Sequence, residues 1–393
     1  MTLSNFIESL VLILTAVTLV PVVVLFAEIA ASFFNRARIG QPVPGDRPSC
    51  AIIVPAHNEA AGIKSTLDVL KAQIAEGDII LVVADNCEDN TARIAASSGV
   101  TVVERCDRND IGKGHALDYG IRSLSEKRDI VVFVDSDCKL APNALDALIR
   151  LSFRRQRPAQ AAYLMTAPSD GAGAKLREFA FKIKNYVRPL GGQMLGIPAP
   201  MTGSGMAVPW DLLRSQNFAT SHLAEDTKLG LQFSRSDNYP LFCPQALVLS
   251  EFPTQEKSLV AQKDRWEAGH IGLLRSEFPS LVLKGIRQGK IRLIGSALDL
   301  LVLPIVMLFL ITAFVATLGV AVEVLFLQHL LGCFATIPFL LLVLSIFLSW
   351  VKAGRDLIGF KDLQVIPMYI ISKSLHIPRL LTKRTQWRRT DRG

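Results

Sequence analysis

Three short apolar runs in this chain end in residues whose types could do chemistry. Residues 50–54 run into Pro55-Ala56-His57-Asn58-Glu59, residues 79–84 into Asp85-Asn86-Cys87-Glu88-Asp89, and residues 130–134 into Asp135-Ser136-Asp137. By length and flanks each run reads as a buried strand. In an open parallel sheet, ligands bind just beyond the carboxyl ends of the strands, so these three ends share one rim. A single Asp or Asn there could simply cap a helix; three such ends together favour a site. Asp135 and Asp137 are separated by one residue and can hold a hard divalent cation, Mg²⁺ or Mn²⁺, against phosphate oxygens. Zinc has little support, because no His/Cys cluster has ligand spacing. Gly112-Lys113-Gly114-His115 opens a helix and can offer an ammonium and backbone N–H groups to phosphate. It is not a Walker A loop, since no Ser or Thr follows the lysine. His57 and His115 are each candidate bases, but neither has an evident orienting carboxylate nearby in the sequence.

The elements that must carry these residues alternate regularly. Helical spacing over residues 62–75 follows the first run, and further helix–strand alternation extends through 91–96, 100–103, 112–124 and 130–134. This order predicts an α/β fold with a mostly parallel, Rossmann-like sheet covered by helices. Beyond Pro142 the pattern loosens to helices near 144–153 and 175–186. Residues 191–205 are rich in Gly and Pro and read as a loop that lines something.

Composition sets the surroundings. Of 393 residues, 50% are hydrophobic and 20% charged, which excludes a disordered chain and argues against an ordinary soluble enzyme. Residues 10–27, 300–322 and 324–350 carry no charge, and each run approaches or exceeds the roughly 18 residues that suggest a membrane span. Glu8 before the first run and Arg36 and Arg38 after it favour an anchor over a cleaved signal. Lys284, Arg287, Lys290, Arg292, Lys352 and Arg355 fit the same sidedness, with the large domain and the C-terminus cytoplasmic at the inner membrane. The expected organisation is an anchor at 5–34, a linker at 35–48, a catalytic domain at 49–280, and spans at 293–322 and 324–351. An interfacial helix and basic tail then occupy 360–393. That tail suits anionic lipid headgroups better than nucleic acid, because no aromatics are interleaved for base stacking. None of the six cysteines forms a C-x-x-C pair, and they read as reduced thiols.

In their order along the chain, these segments resemble the membrane-bound family 2 glycosyltransferases of the cellulose, chitin and hyaluronan synthase type. The resemblance rests on the Pro55 to Glu59 and Asp85 to Thr91 segments, Gly112-Lys113-Gly114, Asp135-Ser136-Asp137 and Thr202-Gly203-Ser204-Gly205. It continues with Glu225-Asp226 and Gln262-Lys263-Asp264-Arg265-Trp266, the family's Q-x-x-R-W motif. Two departures are clear: Ala84 precedes Asp85 where the family pairs aspartates, and Ala224 replaces the threonine before the acid pair.

The resemblance implies a GT-A fold inserted between transmembrane helices and an inverting single displacement. Asp226 is then the general base with Glu225 beside it, and Asp137 with Asp135 holds the metal. Pro55, His57, Asn58, Glu59, Asp85, Lys113, Asp135 and Arg265 belong to the donor side, with Asp85 at the nucleobase. Thr202, Gly203, Ser204, Gln262 and Trp266 belong to the acceptor side. Gln262, Arg265 and Trp266 at i, i+3 and i+4 share one helical face. The expected donor is a nucleotide-sugar, UDP-linked, and the acceptor a lipid-linked or growing polysaccharide, with an export or polymerisation subunit as a further partner. Two alternatives stay open at this point, a nucleotide-sugar sensor without turnover and a nucleotidyltransferase.

Overall fold

The computed structural model describes residues 3–213, 216–326, 330–359 and 361–362. The interfacial helix and basic tail expected at 360–393 lie outside them, apart from residues 361–362. In chain order the elements are α1 (Leu3–Ser32), β1 (Cys50–Ala56), α2 (Ile63–Lys71), β2 (Ile79–Asp85), α3 (Thr91–Ser97) and β3 (Thr101–Arg105). There follow α4 (Lys113–Ser123), β4 (Ile130–Phe133), β5 (Lys139–Leu140), α5 (Ala144–Arg155), β6 (Ala159–Thr166) and α6 (Ala172–Lys182). A π-helical turn at Ile183–Val187 leads to α7 (Arg188–Leu195), β7 (Met206–Pro209), α8 (Trp210–Leu213), α9 (Glu225–Arg235) and β8 (Leu241–Glu251). The last four are α10 (Glu256–Gln288), α11 (Ile291–Leu301), α12 (Ile305–Phe326) and α13 (Leu331–Ala353).

The described residues fall into two compact units. One draws on Arg36–Pro168 and Pro198–Leu273, the other on residues 3–35, Ser169–Ile197 and the described residues from Leu274 onward.

The first unit is built on an eight-stranded sheet of order β3-β2-β1-β4-β7-β6-β8-β5. β3, β2, β1 and β4 run parallel. β7 returns antiparallel beside β4, and β6 pairs parallel with β8, so the sheet is mixed. Residues 51, 53, 81, 83, 131, 133, 206 and 208 point to one face, where α4 and α9 add Leu117, Leu229 and Phe233. The alternate residues Ile52, Val54, Ile80, Val82, Ile130 and Val132 are equally buried. Burial on both faces is what makes these strands continuous apolar runs rather than alternating ones. The C-terminal half of the sheet was not expected from the sequence. β7 is four residues long and ends at Pro209, while β8 contains Pro244 and a register shift against β6 at Ala161/Ala162.

The second unit is helical. Among the described residues, three helices are long and apolar enough to cross a membrane: Ser4–Ser32, Ile305–Phe326 and Leu331–Ala353, with mean hydropathies of 2.9, 2.7 and 2.5. The stretch read as one span over 293–322 is divided, with the amphipathic α11 ending before α12 begins. Pro304 stands at the break, lacking an N–H and disfavouring helix at the residue before it. Val22, Leu25, Ile29, Leu308 and Leu342 pack α1, α12 and α13 together. Arg188 at the start of α7 reaches Glu28 of α1 at 2.6 Å and Asp299 of α11 at 2.6 Å. The expectation of a loop over 191–205 fails in its first part, because residues 188–195 are helical. The contacts also group Ser169–Ile197, read as part of the 49–280 domain, with the apolar helices. At Gly191 an added Cβ would stand 1.6 Å from the Glu28 carbonyl, so this glycine serves close helix packing.

Candidate active site

The D-x-D turn is held from three sides. Thr66 Oγ1 of α2 donates to the Ser136 carbonyl at 2.7 Å, and the Asp135 N–H donates to Ser204 Oγ at 3.1 Å. Ser250 Oγ of β8 donates to Asp137 Oδ2 at 2.8 Å. Potential ligand atoms of Asp135, Asp137 and Cys138 lie within 4.8 Å of one another. Cys138 is fully buried, and burial, with the Asp135 charge, pushes its thiol up to about 12.

Gly203 marks where the site converges. Its φ of +91° suits glycine. A Cβ there would stand 3.1 Å from Asp226 Oδ2, 3.3 Å from Lys113 Nζ and 3.9 Å from Asp135 Oδ2. The structure therefore gathers, around one backbone point, residues separated by up to 113 positions in sequence. Lys113 pairs with Asp135 and donates to the Gly203 carbonyl at 2.8 Å. Burial pulls this ammonium down, but Asp135, Glu225 and Asp226 outweigh it and hold the group above its ordinary value. Glu225 and Asp226 open α9, where the helix N-terminus favours negative charge. Burial first, then the Asp226 carboxylate, raises Glu225 to about 7. A small pocket lies against this pair, lined also by Gly114, Phe218, Thr220 and Leu229. Gly114 is needed there, because a Cβ would stand 2.5 Å from the Phe218 carbonyl.

The other expected residues are placed as follows. Pro55 lies within β1, paired with Val83 of β2. His57 Nδ1 donates to the Asp85 carbonyl, which fixes its tautomer because a carbonyl can only accept. Asn58 Oδ1 accepts from the Glu88 N–H at 2.7 Å, and the Glu59 N–H donates to Thr91 Oγ1 at 2.7 Å. These bonds tie the ends of β1 and β2 together. Asp85 is buried and paired with Arg105 at 2.7 Å. His115 Nε2 lies 3.1 Å from Ser221 Oγ. Thr202 gives its N–H to Gln160 Oε1 at 2.9 Å, and the Ser204 carbonyl accepts from Gln160 Nε2 at 2.8 Å. Ser204 is fully buried, so its hydroxyl serves the D-x-D turn. Thr202 Oγ1 is buried without a hydrogen-bond partner among the described residues. Gln262, Arg265 and Trp266 lie on α10, with Gln262 buried. The helix approaches the acid pair at Gly269, where a Cβ would stand 3.0 Å from Ala224 Cβ.

Four residues escaped the sequence reading: Thr66, Arg105, Gln160 and Ser250. Each is an ordinary polar residue in or beside an apolar element, and for Thr66, Arg105 and Ser250 no local signal separates it from a surface position. A buried glutamine inside a strand, as at Gln160, is the only one with a compositional hint.

Comparison with known proteins points to one family. The family described as "Glycosyltransferase like family 2" matches residues 48–269. The fold is similar to that of a mannosyltransferase from Pyrobaculum calidifontis solved with GDP-Man and Mn²⁺. The TM-score is 0.54 and the identity 18%, over 89% of this chain and 99% of that one. Among curated proteins, the 4,4'-diaponeurosporenoate glycosyltransferase of Staphylococcus aureus (strain bovine RF122 / ET3-1) is 38% identical over 105 residues. The protein of the same name from strain USA300 is 38% identical over 102 residues. The matched stretch spans about a quarter of these relatives: 26–27% of their length, and 25–26% of this chain. The match over more than half of the chain makes it a member of the family described as "Glycosyltransferase like family 2", with a family 2 glycosyltransferase domain at residues 48–269.

Proposed function

We propose that this enzyme transfers a hexosyl or N-acetylhexosaminyl group from a UDP-sugar to a lipid-linked or growing cell-surface polysaccharide. The transfer inverts the anomeric centre, and Asp226 is the general base. The observation that carries this reading is the convergence of Asp226 Oδ2, Lys113 Nζ and Asp135 Oδ2 around Gly203. An acceptor hydroxyl is a poor nucleophile near neutral pH, so a positioned carboxylate must take its proton as the new C1–O bond forms. The bond from C1 to the diphosphate breaks in the same displacement, and the nucleoside diphosphate leaves with the electron pair. Lys113 holds positive charge beside the departing oxygens. Arg265 adds a bidentate donor for the diphosphate, and Gln262 and Trp266 face the acceptor, Trp266 with a flat apolar ring.

Asp135 and Asp137 suit a hard divalent ion: an oxygen of each lies within 4.8 Å of the other, and the neighbouring Cys138 offers a buried thiol that such an ion does not seek. Mg²⁺ or Mn²⁺ held there would neutralise charge developing on the diphosphate. The basic residues flanking the three apolar helices support a membrane position with the catalytic unit in the cytoplasm. A membrane site suits an acceptor that is itself lipid-linked or delivered to an export subunit.

The test uses the full chain in lipid or detergent with Mn²⁺ or Mg²⁺, a panel of UDP-sugars and native membrane extract as acceptor. Nucleoside diphosphate release and radiolabel transfer are followed together. Label entering high-molecular-weight material identifies a processive synthase, and one sugar added to lipid identifies a single-step transferase. Absence of donor consumption, or full activity in Asp226→Asn, overturns the assignment. Release of pyrophosphate instead of nucleoside diphosphate would make the chain a nucleotidyltransferase.

A further inference from the structure

Both oxygens of Asp137 accept hydrogen bonds from uncharged groups. Ser250 Oγ donates to Oδ2 at 2.8 Å, and Cys138 Sγ donates to Oδ1 at 3.6 Å. Tyr163 of β6 completes the network, its hydroxyl in hydrogen-bonding contact with the Ser250 and Cys138 side chains. Ser250, Tyr163 and Cys138 are 4%, 6% and 0% exposed. Ser250 shares its face of β8 with Ala246 and Val248, both fully buried, so strand alternation calls for an apolar residue at its place. The register sets Met165 against Ser250 and Tyr163 against Val248, which brings the tyrosine beside the serine. A hydroxyl buried among apolar side chains is costly unless it is bonded, and Ser250 gives its one proton to Asp137. Asp135, two residues earlier, is held in another way, by the Lys113 ammonium.

We propose that Ser250, backed by Tyr163, is a positioning residue that locks Asp137 in place and so makes the site favour Mg²⁺ or Mn²⁺ over Ca²⁺; this rests on the glycosyltransferase reading above, in which Asp137 holds the metal. A neutral donor orients a carboxylate without cancelling its charge, so Asp137 keeps its attraction for a cation. Asp135 differs, because its lysine must first let go. Partners that orient a metal-binding carboxylate from behind are worth about 10- to 100-fold in metal affinity. Rigidity also selects among ions. Mg²⁺ needs near-ideal octahedral geometry with short bonds, whereas Ca²⁺ accepts more oxygens, longer bonds and irregular positions. A carboxylate with a donor on each oxygen resists turning to give a larger ion its second oxygen, so freeing Asp137 helps Ca²⁺ more than Mg²⁺. Tyr163 acts one bond further back, through the serine hydroxyl, and its removal loosens Asp137 less.

The experiment titrates Mn²⁺ into the full-length protein in phosphatidylcholine nanodiscs at a fixed UDP concentration. Free Mn²⁺ is read by electron paramagnetic resonance against matched protein-free samples, and Mg²⁺ and Ca²⁺ then enter as competitors. Wild type, Ser250→Ala, Tyr163→Phe and Asp137→Asn are compared at a temperature where each is folded. Wild type is expected to prefer Mg²⁺ to Ca²⁺. Ser250→Ala should weaken Mn²⁺ about 10- to 100-fold and lower the Mg²⁺/Ca²⁺ preference severalfold. Tyr163→Phe should shift both in the same direction by less, which preserves the test if the alanine variant does not fold. A serine that only fills the strand would leave the Mn²⁺ affinity and the Mg²⁺/Ca²⁺ preference of the folded variants at their wild-type values; that result overturns the proposal while leaving the transferase reading intact. A wild type that binds Ca²⁺ as tightly as Mg²⁺ overturns it also, as does a loss of Mn²⁺ affinity at an unchanged preference. Asp137→Asn should abolish Mn²⁺ binding; if it binds Mn²⁺ as wild type does, the placement of the metal fails, and the proposal with it.

Discussion

Arg188 in the helical unit and Lys113 in the sheet unit each sit between carboxylates, and the two clusters are built differently. In the helical unit Arg188 uses two nitrogens to join Glu28 and Asp299, with 11%, 1% and 22% of the three side chains exposed. The fork fixes three helices, α1, α7 and α11, in one arrangement. In the sheet unit Lys113 faces Asp135, with Glu225 and Asp226 close by, and about a quarter of the Lys113 and Asp135 side chains remains open. A lysine is a point charge on a flexible stem, so its partners can change when a charged ligand arrives. The comparison teaches that buried charge alone does not mark a catalytic site. What distinguishes the two clusters is whether an excess of carboxylates is left beside a cation that is free to re-pair.

The strongest way to break this comparison is Asp226→Asn. Loss of the general base proposed above should cost about 10²- to 10⁴-fold in sugar transfer. UDP binding should persist, so radiolabel transfer and calorimetry on the same sample separate the two. Next comes Arg188→Met, which strands Glu28 and Asp299 without their cation. Breaking a buried pair from one side costs about 3–5 kcal/mol, read as a fall in thermal unfolding temperature in detergent. Lys113→Met should reverse that pattern, with a smaller loss of stability and a larger loss of donor consumption.

Gln160→Leu is a subtler probe. It leaves the Thr202 N–H and the Ser204 carbonyl without their side-chain partner, and unsatisfied buried groups cost about 1–3 kcal/mol each. Because the same segment carries Gly203, transfer should fall more than stability alone explains, measured as kcat at a temperature where the variant is folded.

A last expected effect is a pH dependence from Glu225. Its folded value of about 7 lies above the ordinary 4.5, raised by burial and then by Asp226. A carboxyl raised on folding contributes stability that is fully present below pH 4.5 and is lost as pH rises to about 7. Glu225→Gln should therefore be more stable than wild type at pH 8, and the difference should vanish near pH 4.5. Unfolding temperatures measured across that window check the sign.

The sequence by itself determined the first half of the sheet. The apolar runs at β1, β2 and β4 are buried on both faces, so each is visible as an unbroken string of Val, Ile and Leu, and the polar residues following them fall at strand ends. It also determined the acids, the lysine and the three apolar helices, because charge and hydropathy are properties of residues taken singly or in runs. Tertiary structure alone decided the rest. β6, β7 and β8 are short, proline-bearing or irregular, and exist through pairing with strands distant in sequence. The same holds for the partners that give the acids their roles. Ser250 meets Asp137 across 113 residues, Thr66 meets Ser136 across 70, and Arg105 meets Asp85 across 20. A hydrogen bond depends on where two atoms stand, and side chains with no local pattern acquire a function only when the chain closes around them.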